Sequence, residues 1–152
     1  MAIKILNSMG TSLALAAALG ACAIPEPLPT VVIPLTAESL VGIHWVAVSI
    51  DGVVPVISPA PQLRWSGPEQ VSGTGVCNGF AGKAAVRSGE VRFGALVATG
   101  KACITAPAGQ EDMFFKAIEQ TRSVRLEDEQ LVLVNATGKT LARLAKAKQQ
   151  QP

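Results

Sequence analysis

Between Val71 and Ala84 the chain reads VSGTGVCNGFAGKA, four glycines, a cysteine and an asparagine set between two strand-like segments. Residues that accept positive φ at such density describe a backbone that turns sharply and passes close to itself, which neither a regular helix nor a regular strand requires. The stretch is therefore expected to be a constrained corner, with Gly73, Asn78, Phe80 and Gly82 as its structural residues and Asn78 turning or capping it through its side chain. Cys77 has one plausible mate outside the N-terminal segment, Cys103, 26 residues further on. The pair lacks the spacing of a CxxC redox motif, and no further thiols or histidines complete a zinc site, so no metal is expected. In an oxidising compartment a structural disulfide is expected, two reduced buried thiols being the alternative. Closing that loop would contribute about 3.5 kcal/mol on the chain-entropy model.

The first 21 residues read as a secretory signal: Lys4 in a short n-region, an apolar run from Leu13 to Leu19, then Gly20 and Ala21 before Cys22. The run is shorter than the ~20 apolar residues a membrane-spanning helix needs. Leu19-Gly20-Ala21-Cys22 resembles the lipobox of bacterial lipoproteins, which implies that Cys22 becomes the acylated mature terminus, held on a membrane by its lipid. Ala23 stands where an inner-membrane retention signal would carry Asp, so the expected location is the outer membrane, facing the periplasm. Ala23 to Thr36 carries Pro25, Pro27, Pro29 and Pro34 with hardly any charge. It is expected to be an extended tether, with a partly docked strand through Val31–Leu35 as the alternative. The expected organisation is a signal over 1–21, the acylated cysteine and tether over 22–39, one domain over 40–145 and a disordered tail over 146–152.

Past the signal the chain balances 12 basic against 11 acidic side chains, which argues against nucleic acid as a partner. From Leu40 onward the pattern is β. His44–Ile50, Gln62–Trp65, Gln70–Thr74, Lys83–Arg87, Glu90–Phe93, Leu96–Thr99, Ser123–Leu126, Gln130–Asn135 and Thr140–Leu144 read as short strands. Asp51-Gly52, Ser66-Gly67-Pro68, Ser88-Gly89, Glu127-Asp128-Glu129 and Thr137-Gly138 read as their turns. Around Ser88-Gly89, Ala85, Arg87, Glu90 and Arg92 alternate with Val86, Val91 and Phe93, giving the sheet a wet face and a dry one. A single helix is expected from Gln110, with Glu111 and Asp112 at the positive end of its dipole. Its stripe of Met113, Phe114, Ala117, Ile118 and Thr121 should seat it on the sheet. This succession of elements predicts an α+β fold.

Gly73, then Cys77-Asn78-Gly79-Phe80-Ala81-Gly82, Thr99 with Ala102-Cys103, Glu111 and Phe114, Leu131 and Leu133, and finally Gly138 and Leu141, with Trp45 in an early strand, resemble the META domain family, the HslJ-like proteins. The resemblance spans roughly Leu40 to Leu144. Val76 departs from the usual glycine before the cysteine, and Ala84 from a usual aromatic residue. The resemblance implies an antiparallel sheet curled into an open, cracked β-barrel with one helix packed on it. Many members are envelope lipoproteins of unassigned molecular activity, and no catalytic residues carry over.

The remaining candidates for chemistry are few. His44 is the only histidine, and its place on a strand beside Trp45 suits a structural or surface role better than a catalytic triad. Glu127-Asp128-Glu129 lacks the glycine and the spaced oxygen ligands of a calcium loop. Trp65, Phe80, Phe93 and Phe115 read as core, although in an open barrel some of them, with the helix stripe, would line an apolar slot. The expected function is therefore a non-catalytic, stress-related or accessory interaction module of the envelope, without cofactor, acting through another envelope protein. A carrier or sensor of a small apolar ligand is the alternative, and an enzyme lacks any converging nucleophile, base and orienter.

Overall fold

Alternation along each strand decides which side chains face inward, and one irregularity in β1 shows how strictly. The computed structural model describes residues 35–52, 56–102 and 109–148. They form β1 (His44–Ile50), β2 (Gln62–Gly67), β3 (Gln70–Thr74), β4 (Gly79–Arg87), β5 (Glu90–Ala98), α1 (Gln110–Gln120), β6 (Ser123–Glu127), β7 (Gln130–Val134) and β8 (Thr140–Lys146). In β1, Trp45 and Ala47 are buried, and strict alternation would next bury Ser49. A register shift against β8 between Ala47 and Ser49 changes the phase, so that Ile50 is buried instead.

Every strand is antiparallel to its neighbours in chain order, and β1 returns to pair with β8, so the eight strands close into a ring. The fold is the α+β arrangement expected, a curled sheet with one helix, and its crack has a definite place. β5 and β6 share a single register pair, Glu90 with Ser123, where every other neighbouring pair of strands shares three or more. Inside the ring lie Trp45, Leu63, Trp65, Val71, Leu131, Leu133 and Leu144. Phe114, Ala117 and Ile118 join that core from α1, which packs on β1, β7 and β8. Thr121, at the end of the stripe, is fully buried and satisfies its hydroxyl on the Ala117 carbonyl at 2.6 Å. The indole N–H groups of Trp45 and Trp65 have no hydrogen-bond partner among the described residues.

β7 is buried on both faces. Val132 sits between Arg125 and Arg143 in the register, and both guanidiniums are held by Glu127, Arg143 Nη2 at 2.7 Å. Two arginine stems pinned in this way can cover an outward valine.

Several expected boundaries move. β4 begins at Gly79 rather than Lys83, so Phe80 to Ala84 is strand and the corner contracts to the four residues Gly75–Asn78. Glu90–Phe93 and Leu96–Thr99 are not two strands but one, β5, which carries an extra residue opposite Gly82–Ala84. A bulge absorbs that residue without breaking the strand. The fold also reaches further at both ends than 40–145. Ala37 is buried, the Leu35 carbonyl accepts the N–H of Gly89 at 2.9 Å, and Ala147 donates to the His44 carbonyl at 2.8 Å. Cys22, Cys103 and the signal segment lie outside the described residues.

Candidate functional site

The corner is a carboxylate cradle. Gly75 donates to the Asn78 carbonyl at 2.8 Å, which folds four residues into a tight turn and aims the following N–H groups at one point. Glu111, in the first turn of α1, places its carboxylate there. Its Oε2 accepts from the main-chain N–H groups of Val76 at 2.9 Å, Cys77 at 2.8 Å and Asn78 at 2.7 Å. Its Oε1 accepts from Asn78 Nδ2 at 2.7 Å. Successive N–H groups that converge in this way form a concavity for an anion, and here the chain supplies its own. Partial burial pushes the Glu111 carboxyl up. The bonds from Asn78, Cys77 and Val76 outweigh it and leave the group below its ordinary range.

Asn78 is buried and joins three segments. Its Oδ1 accepts from Thr99 Oγ1 at 2.8 Å and from the main-chain N–H of Lys101 at 2.8 Å, and its amide nitrogen also reaches the Lys101 carbonyl at 3.3 Å. The expected local capping role is thereby corrected: the side chain binds residues 21 to 33 positions away. Next to Glu111, Gln110 donates to the Ile57 carbonyl at 2.8 Å and accepts from the Ile57 N–H at 2.9 Å. Two consecutive helix residues thus bolt the start of α1 to two separate loops. The helix has no side-chain cap of its own, for Gly109 precedes it at φ 80°.

The glycines explain why the corner tolerates no larger residues. A Cβ on Gly73 would overlap the Gln62 carbonyl oxygen and lie 2.7 Å from the Phe80 ring. One on Gly82 would lie 2.6 Å from the Ala95 carbonyl, and one on Gly75 would lie 2.5 Å from the Glu111 side chain. Gly73 and Phe80 are register partners on β3 and β4, so the ring lies over the bare backbone. Phe80 then meets Phe115 edge-on, with centroids 5.6 Å apart, and Phe114 at 6.3 Å.

Beside the corner lies a groove of about 340 Å³ between β5 and α1, lined by Phe80, Phe93, Leu96, Ala98, Phe115 and Glu119. This is the slot foreseen for an open barrel, with one difference. The helix stripe of Phe114, Ala117 and Ile118 faces the core, and Phe115, off the stripe, faces the groove. Trp65 stands behind Phe93, with centroids 6.2 Å apart.

Cys77 lies in the corner with its main-chain N–H on Glu111, and Cys103, its expected mate, lies outside the described residues. His44 is exposed at the start of β1, opposite Arg64, and takes part in none of the corner's hydrogen bonds. Among the described residues no three His, Cys, Asp or Glu side chains come together as a metal site, and no helix is long and apolar enough to cross a membrane. Glu111 is the residue whose role sequence reasoning missed. It stood out as an acid suited to a helix N-terminus, and nothing local marks its partners, 33 to 35 residues earlier.

A family model described as META domain matches residues 38–148. No curated protein matches the chain. Two solved structures resemble it. One is the NMR structure of a protein from Burkholderia xenovorans, 23% identical, with TM-score 0.58, covering 84% of this chain and 99% of that one. The other is a further NMR structure, 27% identical, with TM-score 0.59, covering 72% of this chain and 93% of that one. Both likenesses concern the fold.

Proposed function

The chain belongs to the META domain family, and from that premise we propose that it is a lipid-anchored envelope protein whose META domain is a non-catalytic, accessory interaction module. One observation carries the reading. The polar constellation is spent internally, Glu111 and Asn78 on the corner's own N–H and C=O groups, while an aromatic groove opens to solvent beside it. A carboxylate saturated by four donors is a poor base or ligand, whereas exposed apolar concavities serve binding. The anchor is Cys22, acylated after cleavage behind Ala21, and the proline-rich segment before Leu35 holds the domain off an outer membrane on its periplasmic side. Cys77 pairs with Cys103, a bond suited to that oxidising compartment.

A second reading, a carrier or sensor of a small apolar ligand, is supported by the groove itself, whose volume falls within the range of small-molecule sites. Native mass spectrometry of the protein extracted gently from its own membrane separates the two. The expected result is a mass beginning at Cys22 plus acyl chains, a gain of two hydrogens on reduction, and no retained small molecule. A chain uncleaved or unacylated at Cys22 would overturn the anchor. A co-purifying small molecule would replace the interaction module with the carrier.

A further inference from the structure

The groove between β5 and α1 has an apolar body and one charged end. Phe80 and Phe115 meet at 86°, two perpendicular walls of a corner. One helical turn on from Phe115 stands Glu119, and from the opposite side β5 brings Phe93. Phe93 and Glu119 also border the cleft that continues the groove toward Ser123, which Phe80 and Phe115 do not, so the two lie together at that end. Glu119 is exposed, and among the described residues its carboxylate takes part in no ion pair and no hydrogen bond.

The nearby cations are set to other uses. Arg122 donates from Nη1 to the main-chain carbonyls of Glu119 and Thr121, both at 2.8 Å, at the negative end of the helix dipole. Lys116 lies between Asp112 and Glu119 along the helix, one base to two acids. Arg92 precedes the inward Phe93 on β5, so alternation turns it to the outer face. An aromatic face attracts a cation, and an unpaired carboxylate beside it adds to that attraction. The rest of the lining, Leu96 and Ala98 with the Phe80–Phe115 corner, suits apolar groups alone. A lysine or arginine side chain has both parts, an apolar stem and a cationic tip. It needs no ladder bonds from β5, so the bulge in that strand is no obstacle to it.

We propose that the groove receives a basic side chain of the partner protein, with the stem of a lysine or arginine against Phe80 and Phe115 and its charge between Phe93 and Glu119. This rests on the interaction reading and adds to it the chemistry of the partner.

The test is titration of the purified full chain, isotope-labelled, with the peptide acetyl-Leu-Lys-Leu-amide, followed through its amide chemical shifts. The uncharged norleucine counterpart of that peptide and hexylamine are titrated beside it. Saturable shifts confined to residues 94–98 and 115–120 are expected, with the lysine peptide about fivefold tighter than the norleucine one at low salt. Glu119→Gln, at an exposed position, should remove most of that preference and leave the norleucine peptide's affinity unchanged. Phe93→Leu should reduce the preference as well, circular dichroism reporting an intact fold. A norleucine peptide that binds as well as the lysine one, or a preference untouched by Glu119→Gln, overturns the cationic occupant and leaves the interaction reading standing. Shifts on another surface overturn the site. Hexylamine binding where neither peptide does overturns the protein source and favours the carrier. No shift with any of the three overturns the proposal and removes the groove from the interaction reading too.

Discussion

Removing the Glu111 carboxylate tests the corner most directly. Glu111→Ala uncovers three main-chain N–H groups and the Asn78 amide, which together hold α1 to the β3–β4 turn. Hydrogen bonds to a charged group contribute about 1.5–3 kcal/mol each, but the corner is half-buried and water can re-solvate part of it. The net loss is therefore about 3 kcal/mol rather than the sum of four bonds. For a domain of this size that corresponds to a fall in Tm of about 10–15 °C. Asp112→Ala, one position on and exposed, removes only its share of the helix-dipole interaction and should cost less than about 1 kcal/mol. The pH dependence carries the sign of the shift. The folded-state pKa of Glu111 is depressed, so its contribution is fully present above the ordinary carboxylate value of 4.5 and is lost as pH falls through the folded value. Denaturant unfolding of wild type and Glu111→Ala should accordingly differ by a constant amount from pH 7 down to that ordinary value, and converge below it. Glu111→Gln keeps one acceptor oxygen but turns an amide toward the Asn78 amide, so it should fall between the two and lack the convergence. If Glu111→Ala cost no more than Asp112→Ala, or the gap persisted at low pH, the carboxylate would not be what holds the corner.

Gly73→Ala forces a methyl group into the Gln62 carbonyl and the Phe80 ring and should cost about 3 kcal/mol in urea unfolding, whereas Gly100→Ala, with open space around it, should be nearly silent. Equal effects at the two positions would refute the close approach of β3 to its neighbours. Cys77→Ser and Cys103→Ser should each lower Tm by a similar amount, equivalent to about 3.5 kcal/mol, with the double variant no worse than either. Clearly additive losses would show that the two cysteines do not share a bond.

What was legible in the sequence was whatever depends on a few neighbouring residues. Asp51-Gly52 and Ser88-Gly89 announced turns because positive φ is a local requirement, and all four residues adopt it. Phe114, Ala117 and Ile118 announced the buried face of α1 because helical spacing alone brings them to one side. Gly73 and Gly82 stood out by the density of glycine around them, yet neither adopts positive φ: they sit in β3 and β4, and what bars a side chain there is the close approach of Gln62, Phe80 and Ala95, which the sequence could not name. The inward switch to Ile50 was hidden, because a bulge belongs to a pair of strands and neither strand shows it alone. Tertiary structure alone decided that Glu111 fills the corner, that Asn78 reaches Thr99 and Lys101, that β1 closes on β8, and that β5 meets β6 at one register pair. Each of these depends on segments far apart in the chain being brought together by burial of one common core, and spacing along the sequence carries no record of which distant N–H a carboxylate will meet.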